Sequence, residues 1–423
     1  MNRINKSRRS FIKSSSFAAC LPVISAAGIA DVDCITTSDA LKINGLKVHI
    51  LKVNHRGNWV IVELATNKGL TGFGEASQGA KTITAIEQQQ VRDEIALFYA
   101  IAKEGSPFAI TRYREKGFEL LKKRTSRLSH TAFSAVEQAL WDLQGKALGV
   151  PVYSLLGGKI RDKIKAYANI NRATNDKDGN GRRPAHAFQK NAESALKAGF
   201  KAIKMAPFDE MQPIAGSSEQ QIADDIDHAI NCLELVRKTI GDNVDLLVDV
   251  HSHLDEQLGV AVAKRVEPLN LYWFEEPVNP ERYVKETKII SDATERATAG
   301  GESIFGTGGF YPLIKEKALD ILMPDVKHCG GILELKNIAA LAKLEGISIA
   351  PHNPSGPIST AASAHVVATL PNFSILEYAF GEVPWRPALI QPEEEFIDGY
   401  LTVNDRPGFG VKLNSKIIAA YSV

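Results

Sequence analysis

Six residues that can bind a cation or move a proton follow short apolar segments in the second half of the chain, one per segment. They lie 23 to 27 residues apart, and they are Asp249, Glu275, Glu302, Asp325, His352 and Glu377. Carboxylates are the ligands of hard divalent cations, and imidazoles are the commonest general bases. Each residue alone could simply cap the helix that follows it. Six such positions in register indicate one shared site.

Asp249, Glu275 and Glu302 predict a magnesium site. Three negative charges held close together destabilise one another unless a cation neutralises them. Mg²⁺ takes oxygen ligands from carboxylates, water and substrate. The chain contains no His-x-x-x-His or Cys-x-x-Cys pair that would favour zinc. We therefore expect Mg²⁺ here, with Mn²⁺ as a substitute.

Asp325 and His352 predict a proton-transfer pair. A carboxylate beside an imidazole fixes its tautomer and raises its basicity, so His352 is the candidate general base. The alternative is a core histidine that is bonded to an aspartate only for packing. Glu377 could donate a hydrogen bond to a developing enolate oxygen if it stays protonated. The alternatives are an acid that supports the metal ligands from behind and a purely structural acid.

Three further residues lie at or near the same strand ends. His251 follows Asp249 by two positions, so it points to the same side if the strand continues, and it is the candidate general acid. His253 has the same parity but lies farther into the loop, at the rim. Lys204 ends the segment GFKAIK, where it could polarise a bound carboxylate or extend into water.

The spacing predicts a (β/α)8-type barrel. Each polar residue ends a segment with the character of a buried strand, and eight strand–helix units need about 250 residues. KIKAYANI, from Lys163, and GFKAIKMA supply the first two strands. Active sites of such barrels lie at the C-terminal ends of the strands. Loop 173–184 follows the first strand at that end, where it contacts substrate or is a disordered insertion.

An α+β domain is expected before the barrel. Residues 41–76 alternate apolar and polar side chains around a turn at 67–69, which predicts an antiparallel hairpin. Residues 81–148 have helical periodicity, and Gly149 can end the last helix. The tail has strand and turn character and is expected to return to this domain. The predicted divisions are a signal peptide at 1–30, the N-terminal domain at 31–160, the barrel at 161–380 and the tail at 381–423.

The first 30 residues resemble a twin-arginine export signal. The segment SRRSFIK at 7–13 matches that pattern, a weakly apolar stretch covers 17–29, and residues 28–30 form a small-x-small cleavage site. A basic disordered N-terminus is the alternative. The expected location is the periplasm.

Composition bounds the classes of partner. The chain has 423 residues, 44% hydrophobic and 23% charged, with a formal charge of +1, so no nucleic-acid partner is expected. No apolar run reaches the 18 residues of a membrane span. Cys34, Cys232 and Cys329, which remain after the signal, do not have the spacing of a disulfide framework or a zinc site.

The chain resembles the mandelate racemase branch of the enolase superfamily over nearly its whole mature length. The matching segments are GLTGFGE (69–75), SAVEQALWDLQGKALGVPVYSLLGG (134–158), VDVH (248–251), WFEEP (273–277), GGE (300–302), PDVKHCGG (324–331) and PGFGV (407–411). The resemblance implies the same three Mg²⁺ ligands and a catalytic Asp325–His352 pair. It also implies that the N-terminal domain caps the barrel mouth and that the protein is a homo-oligomer.

The resemblance further implies that the capping loops at 55–59 and 77–81 read the substrate. Arg182 and Arg183 are additional rim candidates. The residues expected to contact substrate are His55, Arg56, Trp59, Arg172, Asn353 and Trp385.

Three details favour dehydration over racemisation. Many members of the branch carry Lys-x-Lys at the end of strand two, but here Lys204 is followed by Met205 and Ala206, so a second base is missing. Asp-x-His at 249–251 resembles the galactonate and mannonate dehydratases, in which the histidine helps a hydroxyl to leave. The PHNPSGP segment around His352 is similar to the galactonate dehydratase pattern.

The expected function is Mg²⁺-dependent dehydration of a sugar acid, an aldonate or aldarate, to a 2-keto-3-deoxy acid. His352 would remove the C2 proton and His251 would protonate the departing 3-hydroxyl. Lys204 and Glu377 would stabilise the charge on the substrate carboxylate. The alternatives are a cycloisomerase or one-base epimerase acting on a sugar acid or anhydro-sugar acid, and a non-catalytic sugar-acid binder.

Overall fold

The computed structural model describes residues 41–55 and 57–423. The expected export signal at 1–30 and Arg56 lie outside these residues, so export and a substrate contact at Arg56 stay predictions. Among the described residues, none of the helices has both the length and the apolar character needed to cross a membrane.

The described chain begins with a three-stranded antiparallel sheet. Its strands, paired in this order, are β1 (Ile43–Asn54), β2 (Gly57–Thr66) and β3 (Thr71–Glu75). Residues 67–69 turn the chain between β2 and β3, which confirms the predicted hairpin. A second tight connection joins β1 to β2.

Three helices follow the sheet, as the periodicity of 81–148 predicted. They are α1 (Ala85–Lys103), α2 (Ile110–Leu121) and α3 (Arg127–Leu148). Thr84 and Glu87 exchange hydrogen bonds in a capping box that begins α1. Gly149 ends α3 with a φ of 69°, in the left-handed region that glycine favours.

Helix α3 lies directly on β3 and links the sheet to the tail. A Cβ at Gly74 would stand 1.9 Å from the carbonyl oxygen of Ala135, so only glycine permits this approach. The buried carboxylate of Asp142 accepts hydrogen bonds from the backbone N–H groups of Phe73 at 2.9 Å and Phe409 at 2.7 Å. One side chain therefore fixes the sheet, the helix and the C-terminal segment together.

Eight parallel strands form the barrel. In chain order they are β4 (Lys163–Asn169), β5 (Ala202–Met205), β6 (Asp245–Asp249), β7 (Trp273–Glu275), β8 (Thr298–Gly300), β9 (Ile321–Leu322), β10 (Ser348–Ile349) and β11 (Leu376–Ala379). Each strand from β4 to β9 pairs with the next one, and β11 pairs with β4. A parallel bridge between Ile349 and Phe373 completes the ring. The predicted barrel is confirmed.

Helices connect successive barrel strands. They are α5 (Ala185–Lys197), α6 (Glu219–Ile240), α7 (Glu256–Val266), α8 (Val284–Asp292), α9 (Gly306–Glu316), α10 (Gly331–Leu344) and α11 (Pro357–Val367), and a short α4 (Val152–Leu155) precedes β4. In the described part of the chain, the short 3-10 helix Pro387–Leu389 follows β11, where a regular barrel would have its eighth helix. The barrel is therefore a modified one.

An apolar layer fills the barrel interior. Its buried residues are Tyr167, Ala202, Leu247, Trp273, Ala299, Ile321, Met323, Ala350 and Ile375. Residues two positions later on the first four barrel strands are polar, and these are Asn169, Lys204, Asp249 and Glu275. Because strand side chains alternate, the polar residues point to the same side and stack on the apolar layer.

The C-terminal segment contacts both parts of the molecule. It contains β12 (Ile390–Gln391), β13 (Phe396–Ile397), β14 (Tyr400–Thr402), β15 (Lys412–Leu413) and α12 (Ser415–Tyr421). Strand β14 pairs antiparallel with β4 of the barrel. The residues after α12 return to the first sheet, where Ser422 bridges Leu51. The tail thus completes the N-terminal layer and also extends the barrel sheet.

A buried arginine ties α2 to the barrel. Arg114 forms ion pairs with Glu137 on α3 and Glu334 on α10, and it donates to the carbonyl oxygen of Gly330 at 3.0 Å. All three charged side chains are buried. Removing one partner of a buried ion pair leaves an uncompensated charge in a poorly solvated place.

Arg114→Met is expected to destabilise the protein by about 3 to 5 kcal/mol, because two buried carboxylates lose their cation. The measurement is the urea midpoint of unfolding together with its slope. Arg112→Met is the matched control, since Arg112 pairs with Glu104 at 3.8 Å with both side chains more than half exposed, and it should change stability by less than about 1 kcal/mol. Equal midpoints for the two variants would contradict the buried-pair account.

Candidate active site

Lys204 lies among the polar residues at the strand ends. Its ammonium nitrogen is 2.9 Å and 3.1 Å from the two carboxylate oxygens of Glu275 and 3.3 Å from an oxygen of each of Asp249 and Glu377. The side chain is 1% exposed, so the alternative of a rim lysine in water is wrong. Burial lowers a lysine pKa, but the neighbouring carboxylates outweigh it and hold the pKa of Lys204 well above its usual range.

Glu275 and Glu377 are also held by neutral donors. Trp273 Nε1 donates to Glu275 Oε2 at 2.8 Å. Asn169 Nδ2 donates to Glu377 Oε1 at 2.5 Å, and the backbone N–H of Asn353 donates to Glu377 Oε2 at 2.8 Å. Both carboxylates are fully buried. Their orientation is therefore set by several bonds each, which makes this end of the barrel rigid.

His352 pairs with Asp325, as predicted. His352 Nδ1 lies 2.7 Å from Asp325 Oδ2, and Lys327 Nζ donates to the same oxygen at 2.5 Å. Burial raises the pKa of Asp325, but the charge of Lys327 and the bond to His352 outweigh burial and hold that pKa well below its usual range. An ionised carboxylate can only accept, so the proton sits on Nδ1 and Nε2 is left for chemistry.

The Nε2 atom of His352 faces two more carboxylates. It lies 3.0 Å from Glu302 Oε2 and 4.0 Å from Glu377 Oε2. Burial lowers the pKa of His352, but the charges of Glu302 and Glu377 and the bond to Asp325 raise it to about 10. A cation bound to Glu302 would cancel the first of these charges and so make the imidazole easier to deprotonate.

His251 reaches the site by a turn and not by a continued strand. Strand β6 ends at Asp249, and His251 and Ser252 have φ values of 47° and 60°, which L-residues rarely adopt. The backbone N–H of Ser252 donates to the carbonyl oxygen of Glu276 at 2.7 Å and holds the turn. His251 Nε2 lies 3.1 Å from Asp249 Oδ2, and Nδ1 hydrogen-bonds to Asp209. The expected placement is met, but the expected backbone is wrong.

Asp249, His251 and Glu302 form a group, found in the described part of the chain, that could hold a metal ion. One ligand atom of each lies within 4.8 Å of the others. Glu302 Oε2 is buried and makes no hydrogen bond, although His352 Nε2 is near it. An unbonded buried carboxylate oxygen costs free energy that a cation would recover. These donors fit Mg²⁺ or Mn²⁺.

Glu275, the third predicted ligand, stands beside this group. It is in register with Asp249 on the neighbouring strand, but its oxygens are bonded to Lys204 and Trp273. Burial and the charge of Asp249 hold the pKa of Glu275 well above its usual range. A cation bound between Asp249 and Glu275 would have to draw Glu275 away from the ammonium.

A cavity of about 220 Å³ borders these groups. It is lined by Gln78, Arg127, Asn169, Asn171, Arg172, Asp249, His251, Glu302, His352 and Pro354. Larger cavities of about 610 Å³ and 1180 Å³ are lined mainly by the C-terminal segment, α11 and the first sheet, and one of about 500 Å³ is lined by the loop after β4, the 3-10 helix Pro207–Glu210 and α6. None of these three is lined by Asp249, His251, Glu302 or His352. The smaller cavity is therefore the candidate active site.

The expected substrate contacts divide into two sets. Arg172 lines the cavity and donates from Nε to the buried carboxylate of Glu382. His55 borders a separate cavity of about 160 Å³ next to Asp209 and Glu210. Gln78, in the expected loop 77–81, lines the active-site cavity.

Three of the expected contacts are packing residues in this structure. Trp59 and Trp385 meet edge to face with ring centroids 5.1 Å apart, and Trp385 stacks on Tyr421. Asn353 is fully buried and donates to Thr360 Oγ1 at 2.8 Å and to the carbonyl oxygen of Glu377 at 3.1 Å. None of the three lines the cavity. Each instead packs against or bonds to residues that attach the C-terminal segment or α11 to other parts of the fold.

Glu75, the last residue of GLTGFGE, anchors the His352 segment from the first sheet. It accepts hydrogen bonds from Ser77 Oγ at 2.6 Å and from the backbone N–H groups of Gly356 at 2.7 Å and Ser359 at 2.9 Å. Burial raises the pKa of Glu75 against these stabilising contacts. The two backbone donors belong to the N-terminus of α11, directly after the segment that carries His352. The sheet thereby positions a residue of the barrel.

Sequence reasoning missed several residues that touch the site, and three of them bond to its charged groups. Asn169 ends β4, so the strand-end rule would have found it had it been applied to the first strand. Lys327 follows Asp325 by two residues, and the sequence does not distinguish a buried lysine that bonds to Asp325 from a lysine exposed at the surface. Asp209 lies in the 3-10 helix Pro207–Glu210 after β5, where no local pattern marks it.

Known proteins match this chain over most of its length. The sequence is 30% identical to D-xylonate dehydratase of Haloferax volcanii over 374 residues, which cover 86% of this chain and 85% of that protein. It is 29% identical to D-galactonate dehydratase of Pectobacterium atrosepticum, with 85% and 90% covered. The crystal structure of a mandelate racemase/muconate lactonizing enzyme-like protein from Roseovarius sp. TM1035 has a TM-score of 0.78 at 27% identity, with 90% of this chain and 95% of that chain covered.

Two family descriptions match the chain in sequence. Residues 32–157 match the mandelate racemase/muconate lactonizing enzyme N-terminal domain, and residues 187–417 match the enolase C-terminal domain-like family. The second match alone covers more than half of the chain. The chain therefore belongs to the mandelate racemase and muconate lactonizing enzyme family of the enolase superfamily.

Proposed function

We propose that this chain is a Mg²⁺-dependent dehydratase that converts a sugar acid, an aldonate or aldarate, into a 2-keto-3-deoxy acid. One observation carries the proposal: His352 and His251 border the same cavity, and each is hydrogen-bonded through Nδ1 to a carboxylate. Dehydration needs one group that accepts a proton and one that donates it. The names of relatives that act on D-xylonate, D-galactonate and D-gluconate support this substrate class.

His352 is the proposed general base. Its Nε2 accepts the proton as the C2–H bond breaks, and the electron pair moves into the substrate carboxylate to give an enediolate. Asp325 holds the Nδ1 proton and stabilises the imidazolium that forms. The base must be neutral before the step, which requires that the charge of Glu302 beside it be compensated.

Asp249 and Glu302, with His251 or Glu275 completing the set, are the residues that would hold the cation. When bound, Mg²⁺ or Mn²⁺ supplies positive charge beside the substrate carboxylate, where negative charge develops. Lys204 and Glu377 complete the proposed environment of that charge. Lys204 adds a fixed ammonium 3.3 Å from Asp249 and Glu377, so it partly offsets the carboxylates that surround the reacting group.

His251 is the proposed general acid. Its Nε2 gives a proton to the 3-hydroxyl as the C3–O bond breaks, so that the hydroxyl leaves as water. The resulting enol takes a proton at C3, releases the proton of its 2-hydroxyl and becomes the 2-keto-3-deoxy acid. His251 is suited to this step because 34% of its side chain is exposed, so that the departing water can reach solvent. The side chain of His352 is only 7% exposed.

Ala206 argues against racemisation by two bases. It occupies the position at which many relatives carry the second lysine, and an alanine cannot move a proton. A cycloisomerase or one-base epimerase would use the same cation and the same Asp325–His352 pair. It would release no water and form no 3-deoxy keto acid, so product analysis separates it from the dehydratase.

Screening a panel of hexonic, pentonic, uronic-derived and aldaric acids is expected to yield a 2-keto acid with Mg²⁺ and none with EDTA. His352→Asn should lose at least about 100-fold in both product formation and C2 deuterium exchange, because the base is gone. His251→Asn should retain exchange while losing elimination. The readouts are a colorimetric keto-acid assay and NMR in D₂O.

Three outcomes of that screen would overturn the assignment. Exchange at C2 without any keto acid from the wild-type protein would favour the isomerase. Wild-type turnover by both histidine variants would remove the proposed roles. Substrate-dependent stabilisation without exchange or product would indicate a binding protein.

Adding Mg²⁺ is expected to raise the thermal unfolding midpoint of the wild-type protein, by the equivalent of about 2.7 kcal/mol at a concentration 100 times Kd. Asp249→Asn and Glu302→Gln should abolish this shift because each removes a ligand. Asp245→Asn is the matched control. It lies at the opposite end of β6, where it pairs with Lys165 at 2.9 Å, and it should keep the shift. A shift of equal size in all four proteins would place the cation elsewhere.

A further inference from the structure

Arg183, expected at the rim, is buried under the loop that follows β4. Its guanidinium donates to Asp209 Oδ2 at 3.1 Å and to the carbonyl oxygen of Ala206 at 2.8 Å, and it also binds Glu210 and Asn171. These partners span the end of β4 and the whole 3-10 helix Pro207–Glu210. Four of the five N–H donors of Arg183 are therefore engaged by these partners, and together they fix this helix against the barrel.

Asp209 uses both of its oxygens in this arrangement. Oδ2 accepts hydrogen bonds from Arg183 and, at 3.3 Å, from Asn171 Nδ2. Oδ1 accepts the hydrogen bond from His251 Nδ1. The carboxylate is thus held on one side by two donors from a buried network, and on the other side it meets the imidazole that borders the active-site cavity.

We propose that Asp209 is the positioning residue of His251 and that it assigns Nε2 as the nitrogen that meets substrate or cation. A carboxylate only accepts, so Nδ1 keeps its hydrogen whether or not the ring is charged. Nε2, which lies 3.1 Å from Asp249 Oδ2, is then the nitrogen that exchanges a proton or binds a metal ion. Only the role of His251 in elimination rests on the proposed function; its orientation by Asp209 does not.

The proposal gives the site two aspartate–histidine pairs that face one cavity. Asp325 and His352 follow β9 and β10, whereas Asp209 and His251 follow β5 and β6. Both pairs engage Nδ1 and leave Nε2 toward the carboxylates of the strand ends. The segment after β5, which lacks a second lysine at Ala206, therefore contributes to the site through a histidine on the neighbouring strand.

The orientation is tested by NMR on metal-free, ¹⁵N-histidine-labelled protein. His251 is assigned as the signal lost in His251→Asn. The wild type is expected to show a hydrogen-bonded Nδ1–H proton that persists across pH, and Asp209→Ala is expected to lose it. If Asp209→Ala does not fold, Asp209→Asn replaces it. There Arg183 and Asn171 hold the single amide oxygen on their side, so the NH₂ group faces Nδ1 and the signal again disappears.

A second readout is the ratio of keto-acid formation to C2 deuterium exchange with Mg²⁺ present. Asp209→Ala or Asp209→Asn should lower this ratio by about 10- to 100-fold, the usual effect of removing a partner of an active-site imidazole. Glu210→Gln is the matched control, since Glu210 binds Arg183 but does not touch His251. It should leave the ratio unchanged.

An Nδ1–H signal that persists in the Asp209 variants would overturn the proposal. A ratio that falls equally in Glu210→Gln would do so as well, because the effect would then come from general loosening of the 3-10 helix. A wild-type protein that forms no keto acid would defeat the dehydratase proposal alone, and the NMR result would still decide whether Asp209 orients His251.

Discussion

Buried negative charge at the ends of the barrel strands is the constraint on which the rest of the site depends. Asp249, Glu275 and Glu377 surround the single ammonium of Lys204, and Glu302 lies just beyond it with an unbonded oxygen. Carboxylates so close together destabilise one another unless positive charge is added. Binding of a cation at this site would therefore be favourable, because the fold holds the carboxylates close together. On the proposed function, the substrate carboxylate would meet the same repulsion, which a bound cation would offset.

The surrounding structure keeps this unfavourable arrangement in place. Lys204 holds Asp249, Glu275 and Glu377, and Trp273, Asn169 and the backbone of Asn353 add neutral donors to the two glutamates. The apolar layer around Trp273 lies below, and water therefore has no route from that side. Glu75 and Arg114 attach the helices and loops of the first domain to the barrel through buried charges of their own. These buried ionic contacts hold the first domain on the barrel, because breaking any of them would leave an unpaired buried charge.

The sequence was sufficient for the architecture because strand-end polarity recurs with the period of a barrel. Asp325–His352 could be predicted as a pair, since both residues end adjacent parallel strands. His251 was predicted at the site on the assumption that the strand continues, but it lies in a left-handed turn. A backbone hydrogen bond between Ser252 and Glu276 holds this turn, and no local sequence pattern predicts that bond. Trp59 and Trp385 were expected to contact the substrate, but in the structure their rings pack against each other. Contacts between residues far apart in the chain could not be predicted from the sequence.

The absence of a second lysine at Ala206 has a consequence for the direction of chemistry. A lysine there would place a base on the face of the substrate opposite His352, and protons could then be exchanged between faces. In this chain the neighbouring imidazole, His251, is bonded at both ends, to Asp209 and beside Asp249. An imidazole that carries a proton between two carboxylates is prepared to give that proton to a departing oxygen. On the proposed function, this arrangement favours loss of the group at C3 over inversion at C2.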